Sequence, residues 1–166
     1  TAPDGRFDGL RPNYDDIPPR IKANRVADLA AENYPEKPIM PLVEIAQDRL
    51  VAEIMRGCTQ GCRFCQAGML YRPIREREPV ELTEQILKSL QATGYDDLSL
   101  LSLSTSDYTG LQRVVEDTAE FREQRRISIS LPSLRLDSFS EGVAQAASQT
   151  RKSGLTFAPE AGSERL

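Results

Sequence analysis

The feature that most restricts the fold is a repeated change of apolar period along the chain. Short apolar runs at residues 50–55, 98–103, 127–131 and 155–158 are separated by stretches in which apolar residues recur every three or four positions. Runs of that length read as strands, and the stretches between them as amphipathic helices. The helix after the first strand is predicted to start at Glu78 and Pro79, with proline at its first position, and to stop at Gly94. Its apolar stripe is Leu82, Ile86, Leu87 and Leu90. The next helix carries Leu111, Val114, Val115, Thr118 and Phe121 on one side, and another is expected over residues 140–152. Strand–helix alternation of this kind builds a parallel sheet with crossover helices, an α/β fold. Periodicity does not separate an open doubly wound sheet from a barrel.

Residues 1–45 read differently. Pro3, Pro12, Pro18 and Pro19, mixed with Asp and Gly, mark a linker or a wrapping arm from a preceding domain. A short helix is predicted to follow, with Ile21, Val26, Leu29 and Ala30 on one face, before Pro35, Pro38 and Pro41 hold the chain extended. The whole sequence of 166 residues is read as a piece of a longer protein, its residues 46–166 forming the first part of a core domain.

The chemistry is concentrated in residues 56–68. The chain's three cysteines, Cys58, Cys62 and Cys65, lie there at C-x3-C-x2-C spacing, directly after the first strand. An odd, clustered set is a poor disulfide framework, and free thiols suit a reducing cytoplasm. Soft thiolates in one loop select iron–sulfur clusters, zinc or copper(I). A closed zinc site needs a fourth ligand, and the chain contains no histidine. Three thiolates leave one iron of a cubane open to a small molecule, which favours the cluster. Zinc, or three structural cysteines, stays open on residue chemistry alone. The absence of histidine excludes a Ser-His-Asp triad or a Cys-His pair within these residues. A net charge of −4 gives no global field toward nucleic acid, and no apolar run reaches the length of a membrane span. Arg72, Arg75 and Arg77, interleaved with Glu76 and Glu78, read as a solvated face, with guidance of RNA a lesser reading.

The cysteine spacing after a first strand, with Phe64 in front of the last cysteine, resembles the radical S-adenosylmethionine superfamily. The runs EIMRGCTQGCRFCQAGMLYRP, LSLLSLSTSDY and GLTFAPEAGSERL resemble one uncharacterised group within it, distantly related to the tRNA methylthiotransferases. A histidine common in that group is replaced here by Gln47. The resemblance implies a partial (β/α)6 TIM-like barrel, truncated here after about the fourth strand. It implies a 4Fe–4S cluster on Cys58, Cys62 and Cys65, and S-adenosylmethionine chelating the open iron. Reductive cleavage then yields a 5′-deoxyadenosyl radical that abstracts hydrogen from an unknown substrate. It also implies an electron donor such as flavodoxin or ferredoxin. Members of the group often carry a cobalamin-binding-like domain upstream, so cobalamin in an attached domain is a further expectation. The alternative is a non-catalytic metal-binding or RNA-interaction module.

By the same resemblance, Phe64 stands near the adenine. The segment after the second strand, Ser102, Ser104 and Thr105, meets the methionine amino group, although it lacks the glycines and the acid of the family pattern. Ser130 and Arg135 after the third strand, and Glu160, Ser163 and Arg165 after the fourth, fall where the family binds ribose and carboxylate. Carboxyl ends of parallel strands are where such folds place ligands.

Overall fold

The computed structural model describes residues 3–9, 11–30, 33–136, 142, 145, 157–160 and 162–163. Its centre is a parallel three-stranded sheet in the order β1–β4–β5, with β1 at Leu50–Glu53, β4 at Asp97–Leu101 and β5 at Ser128–Ser130. Leu50 pairs with Leu98 and Ala52 with Leu100, and Leu98 pairs in turn with Ile129. Because side chains alternate along a strand, these residues share one face, and all of them are buried. On the other face Val51 and Leu101 stay about half exposed. Ser99 and Ser128 on that same face are 8% exposed, so the sheet is fully covered on one side and only partly covered on the other among the described residues.

Helix α2, Pro79–Thr93, supplies much of the cover. Its Leu82, Ile86 and Leu90 are at most 2% exposed and join the core with Leu111, Val114 and Val115 of the following helix. Each such side chain contributes about 1.5–3 kcal/mol by leaving water. Pro79 stands in the first turn, and Gly94, at φ 74°, ends the helix with its N–H on the Leu90 carbonyl. Both ends follow the sequence expectation.

The helix expected beyond residue 110 is divided into α3, Leu111–Asp117, and α4, Ala119–Arg125. At the junction the Thr118 hydroxyl donates to the carbonyls of Val114 and Val115. The buried Arg122 guanidinium also donates to Val115 and to the Thr118 hydroxyl oxygen. The Val114 carbonyl keeps the Thr118 N–H, but at Val115 side chains take a carbonyl that a continuous helix would leave to a backbone N–H, and such insertions bend or break helices.

Two further expectations need correction. Residues 21–30 form no helix: Ile21 is 81% exposed, and of the proposed stripe Leu29 is the residue that the core covers. A stretch this short does not hold a helix without a packed face, and Arg75 draws off the Val26 carbonyl. The last strand, β7 at Phe157–Ala158, does not pair with β5. It pairs in parallel with β6, Leu134–Arg135. Pro132 offers no N–H to a ladder, and Ser133 at φ 57° turns the chain, so β6 is offset from β5. The sheet does not close into a barrel among the described residues. The helix expected over 140–152 lies outside the described residues except for Gly142 and Gln145, which are helical. No helix among them is long and apolar enough to cross a membrane.

Candidate functional site

The cysteine loop is tied at its base. β2, Met55–Arg56, continues from β1 and pairs antiparallel with β3, Arg75–Glu76, so the chain leaves and re-enters at one point. Gly57 opens the loop at φ 95°, and a Cβ there would lie 2.8 Å from the Tyr71 carbonyl oxygen. Only glycine meets both constraints. At the far end the Arg75 guanidinium donates to the carbonyls of Tyr71, Pro73 and Val26. Arg75 is thus a structural tie and not part of a solvated face.

Within the loop the Cys65 N–H donates to the Cys62 carbonyl at 3.1 Å, and helix α1, Gln66–Leu70, begins immediately after. The Gly68 N–H donates to Cys65 Sγ at 3.3 Å. Cys58, Cys62 and Cys65 are free and half-buried, and all three line one cavity of about 220 Å³. Among the described residues no three Cys, Asp or Glu side chains converge as the ligands of a single metal ion do.

The cavity also receives Phe64, Ser104, Arg135 and Glu160, each expected from the sequence. Phe64 is 71% exposed, so its ring is not part of the core. Ser104 lines the cavity but is only 2% exposed, and its buried hydroxyl has no hydrogen-bond partner among the described residues. Thr105 is fully buried, and its hydroxyl pairs at 3.0 Å with that of Ser102. Ser102 lines a neighbouring cavity of about 260 Å³ beside Glu53, Arg56 and Tyr71, with Leu103 common to both. Ser130 ends β5 opposite Ser99 and is not part of the cysteine cavity wall. Ser163 is exposed and stands apart from it, and Arg165 lies outside the described residues.

Residues that the sequence reading passed over hold this site together. Gln60, between the first two cysteines, donates to Asp107 Oδ2 at 2.8 Å. Asp107 belongs to a 3₁₀ turn, Thr105–Asp107. The Thr105 N–H donates to the Ser133 carbonyl, and the Arg135 N–H to Ser106 Oγ. The cysteine loop, the segment after β4 and the start of β6 are thereby joined around the cavity. Ser133 and Glu160 both line it with positive φ, at 57° and 64°. Its position after Pro132 was the available signal for Ser133; Gln60 offered none beyond lying between two cysteines.

Below the loop, Glu53 accepts from Arg56 through both oxygens at 2.7 Å and from the Tyr34 hydroxyl. Burial alone would raise the Glu53 carboxyl, but the hydrogen bonds from Arg56 and Tyr34 outweigh it and hold the group below the usual carboxylate range. Burial and the same carboxylate push the Tyr34 phenol up to about 12. Arg77 stacks on the Tyr34 ring, 4.0 Å from its centroid, and is 2% exposed. Burial lowers its pKa. The reading of Arg77 as solvated is therefore overturned: the aromatic face and the Gln85 side chain hold it inside.

The family model described as the Radical SAM superfamily matches residues 52–166. An uncharacterised protein of Methanocaldococcus jannaschii is 32% identical over 114 residues, which cover 69% of this chain and 24% of that protein. The chain thus spans about a quarter of the length of that relative.

Proposed function

The chain belongs to the radical SAM superfamily, and from that premise we propose that it forms the cluster-binding part of an enzyme that reductively cleaves S-adenosylmethionine. The observation that carries the reading is the cavity wall: three free thiols together with a buried serine whose hydroxyl has no partner among the described residues. The residues fit the cofactors. A cubane spreads its three thiolate contacts over three irons, so its ligands need not converge on one point as those of a single ion do. The Gly68 N–H on Cys65 Sγ is the type of hydrogen bond that tunes cluster potentials. The unpartnered Ser104 hydroxyl offers a polar contact to a ligand beside the thiols.

In this reading Cys58, Cys62 and Cys65 hold a 4Fe–4S cluster, and Phe64, Ser104, Arg135 and Glu160 contact S-adenosylmethionine. When bound, the two cofactors supply one-electron cleavage of a C–S bond and a 5′-deoxyadenosyl radical that abstracts hydrogen from the substrate. The chain's own residues bind, orient and exclude water. Arg135 provides a cation for the methionine carboxylate, and Phe64 an aromatic face for the adenine. Ser102 and Thr105, paired to each other, shape the wall from behind, while Ser130, Ser163 and Arg165 remain candidates for ribose and carboxylate contact. The electron comes from a carrier such as flavodoxin or ferredoxin, in a reducing cytoplasm. Residues 46–166 constitute the first βα units of a partial (β/α)6 barrel, and residues 1–45 an arm laid against it.

Anaerobic reconstitution tests the proposal. About four iron and four sulfide per chain, with 5′-deoxyadenosine formed on reduction in the presence of S-adenosylmethionine, is the expected result. One zinc per chain and no cleavage would replace this reading with a non-catalytic metal-binding module.

A further inference from the structure

Residues 58–61 are the part of the cysteine loop with the least backbone support. On one side Arg56 lies in the β2–β3 ladder. On the other, the Cys65 N–H closes on the Cys62 carbonyl and the Gly68 N–H on Cys65 Sγ, at the start of α1. In between, Cys58 to Gly61 make no backbone hydrogen bond among the described residues, and Gly61 turns the chain at φ 64°. The stretch is held instead by a side-chain bond, from Gln60 Nε2 to Asp107 Oδ2 at 2.8 Å. Gln60 itself lines the cysteine cavity. Asp107 is a good anchor because its turn is fixed to the rest of the cavity wall. The Asp107 N–H donates to the Ser104 carbonyl, and the Thr105 N–H to the Ser133 carbonyl.

Gln60 is exposed and Asp107 half-buried, so water competes for both groups and their bond adds little to global stability. Its effect is geometric. We infer that Gln60 is a positioning residue and Asp107 its anchor, holding the Cys58 side of the loop against the wall that carries Ser104. The bond ties the thiols and the ligand-facing segment into one frame before either cofactor binds. The inference rests on the proposed function, because that register matters only where a cluster and S-adenosylmethionine must meet. A loop without the bond would have to be ordered as S-adenosylmethionine binds, at a cost in affinity. The same bond explains why two neighbouring thiols are held in different ways. Cys65 is fixed locally, by the first turn of its own helix, whereas Cys58 depends on a partner 47 positions beyond Gln60.

The test begins with thiol reactivity in the metal-free full-length protein, read cysteine by cysteine by mass spectrometry after a pulse of iodoacetamide. Gln60→Leu should speed alkylation of Cys58 about two- to ten-fold, the range that one hydrogen bond supplies. Cys65, held at the start of α1, should react at its wild-type rate. Asp107→Ala should give the same pattern. Asp107→Asn keeps an acceptor for Gln60 while removing the charge, so it should stay within about two-fold of wild type. In the cluster-loaded protein, calorimetric titration should show S-adenosylmethionine bound about two- to ten-fold more weakly by Gln60→Leu, at unchanged iron content. The double variant Gln60→Leu, Asp107→Ala should bind no more weakly than either single variant, because both remove one bond. Unchanged Cys58 reactivity, equal acceleration of all three cysteines, or unchanged S-adenosylmethionine affinity would overturn the inference. Additive losses in the double variant, or Asp107→Asn behaving as Asp107→Ala, would overturn it as well, since the effect would then belong to charge and not to the bond. Failure of the wild-type protein to hold four iron and S-adenosylmethionine would remove the functional reading. That failure is told apart from failure of the tether, because the thiol measurement needs neither cofactor.

Discussion

The hydroxyl of Tyr34 donates to Glu53 Oε2 at 2.5 Å, fastening the arm to the strand that leads into the cysteine loop. The same carboxylate holds Arg56, the residue directly before Gly57. One acid therefore organises both the arm and the entrance to the loop.

Tyr34→Phe should remove this bond and keep the ring beneath Arg77. A hydrogen bond to a charged acceptor at a half-buried site contributes about 1–2 kcal/mol, and urea unfolding should show a loss of that size. The pH dependence has a defined sign on each side. The Tyr34 pKa is raised from 10.0 to about 12, so its contribution is complete below pH 10 and disappears as pH climbs toward 12. The Glu53 pKa is lowered, so its contribution is complete above the ordinary carboxylate range and disappears as pH falls through the folded value. Tyr34→Phe should lose the Tyr34 part of the alkaline limb. An alkaline limb identical to that of the wild type would show that Tyr34 is not the group responsible.

Each of Cys58→Ala, Cys62→Ala and Cys65→Ala should abolish the brown absorbance of the reconstituted protein together with S-adenosylmethionine cleavage. Because the three side chains are half-buried and outside the core cluster, melting of the metal-free protein should move little. Any single variant that retains four iron per chain and cleavage would remove that residue from the ligand set.

Phe64→Ala should leave the cluster content and the apo-protein melting temperature near wild type, since the ring is 71% exposed. Its S-adenosylmethionine dissociation constant should rise by the equivalent of about 0.5–1.5 kcal/mol, the range for aromatic pairing. Calorimetric titration of the cluster-loaded variant decides this, and an unchanged constant would leave the ring without a part in binding.

Arg122→Ala tests the junction between α3 and α4. The guanidinium is 1% exposed and donates to Thr118 and Val115, so truncation leaves a cavity and removes a donor from a buried carbonyl. A loss of about 2–4 kcal/mol is expected. Arg122→Met restores apolar volume but not the donor, leaving the Val115 carbonyl to the Thr118 hydroxyl alone, so it should recover only the packing part. Denaturant titration of both variants separates the two contributions.

What the sequence made legible depended on how local the signal was. Pro79 and Gly94 bracket α2 because both act through their own backbone geometry, and the cysteine spacing is local in the same sense. The β2–β3 clasp escaped because a two-residue strand has no period to read. Arg77 was misread because the ring that buries it, Tyr34, belongs to a different part of the chain. The split helix was hidden for another reason: Thr118 and Phe121 keep helical spacing, and only the bonds made by Thr118 and Arg122 reveal the break. At the site, Cys58, Cys62, Cys65, Phe64, Ser104, Arg135 and Glu160 were all anticipated and are brought to one cavity. Ser102 and Thr105 instead satisfy each other, a pairing that spacing alone does not show.

The cavity wall is assembled from chain that is synthesised at different times. The thiols belong to residues 58–65, but the wall opposite them comes from Ser133 to Arg135 and from Ala158 and Glu160. Those residues leave the ribosome roughly 70 to 95 positions after Cys65, which at about 5–20 residues per second is an interval of about 4–20 s. On the proposed assignment, the cysteines are for that interval uncovered ligands in a nascent chain, open to whichever thiophilic ion arrives first. Faithful metallation is then a race against translation, and slowing elongation downstream of Cys65 would lengthen the exposure of the loop to zinc.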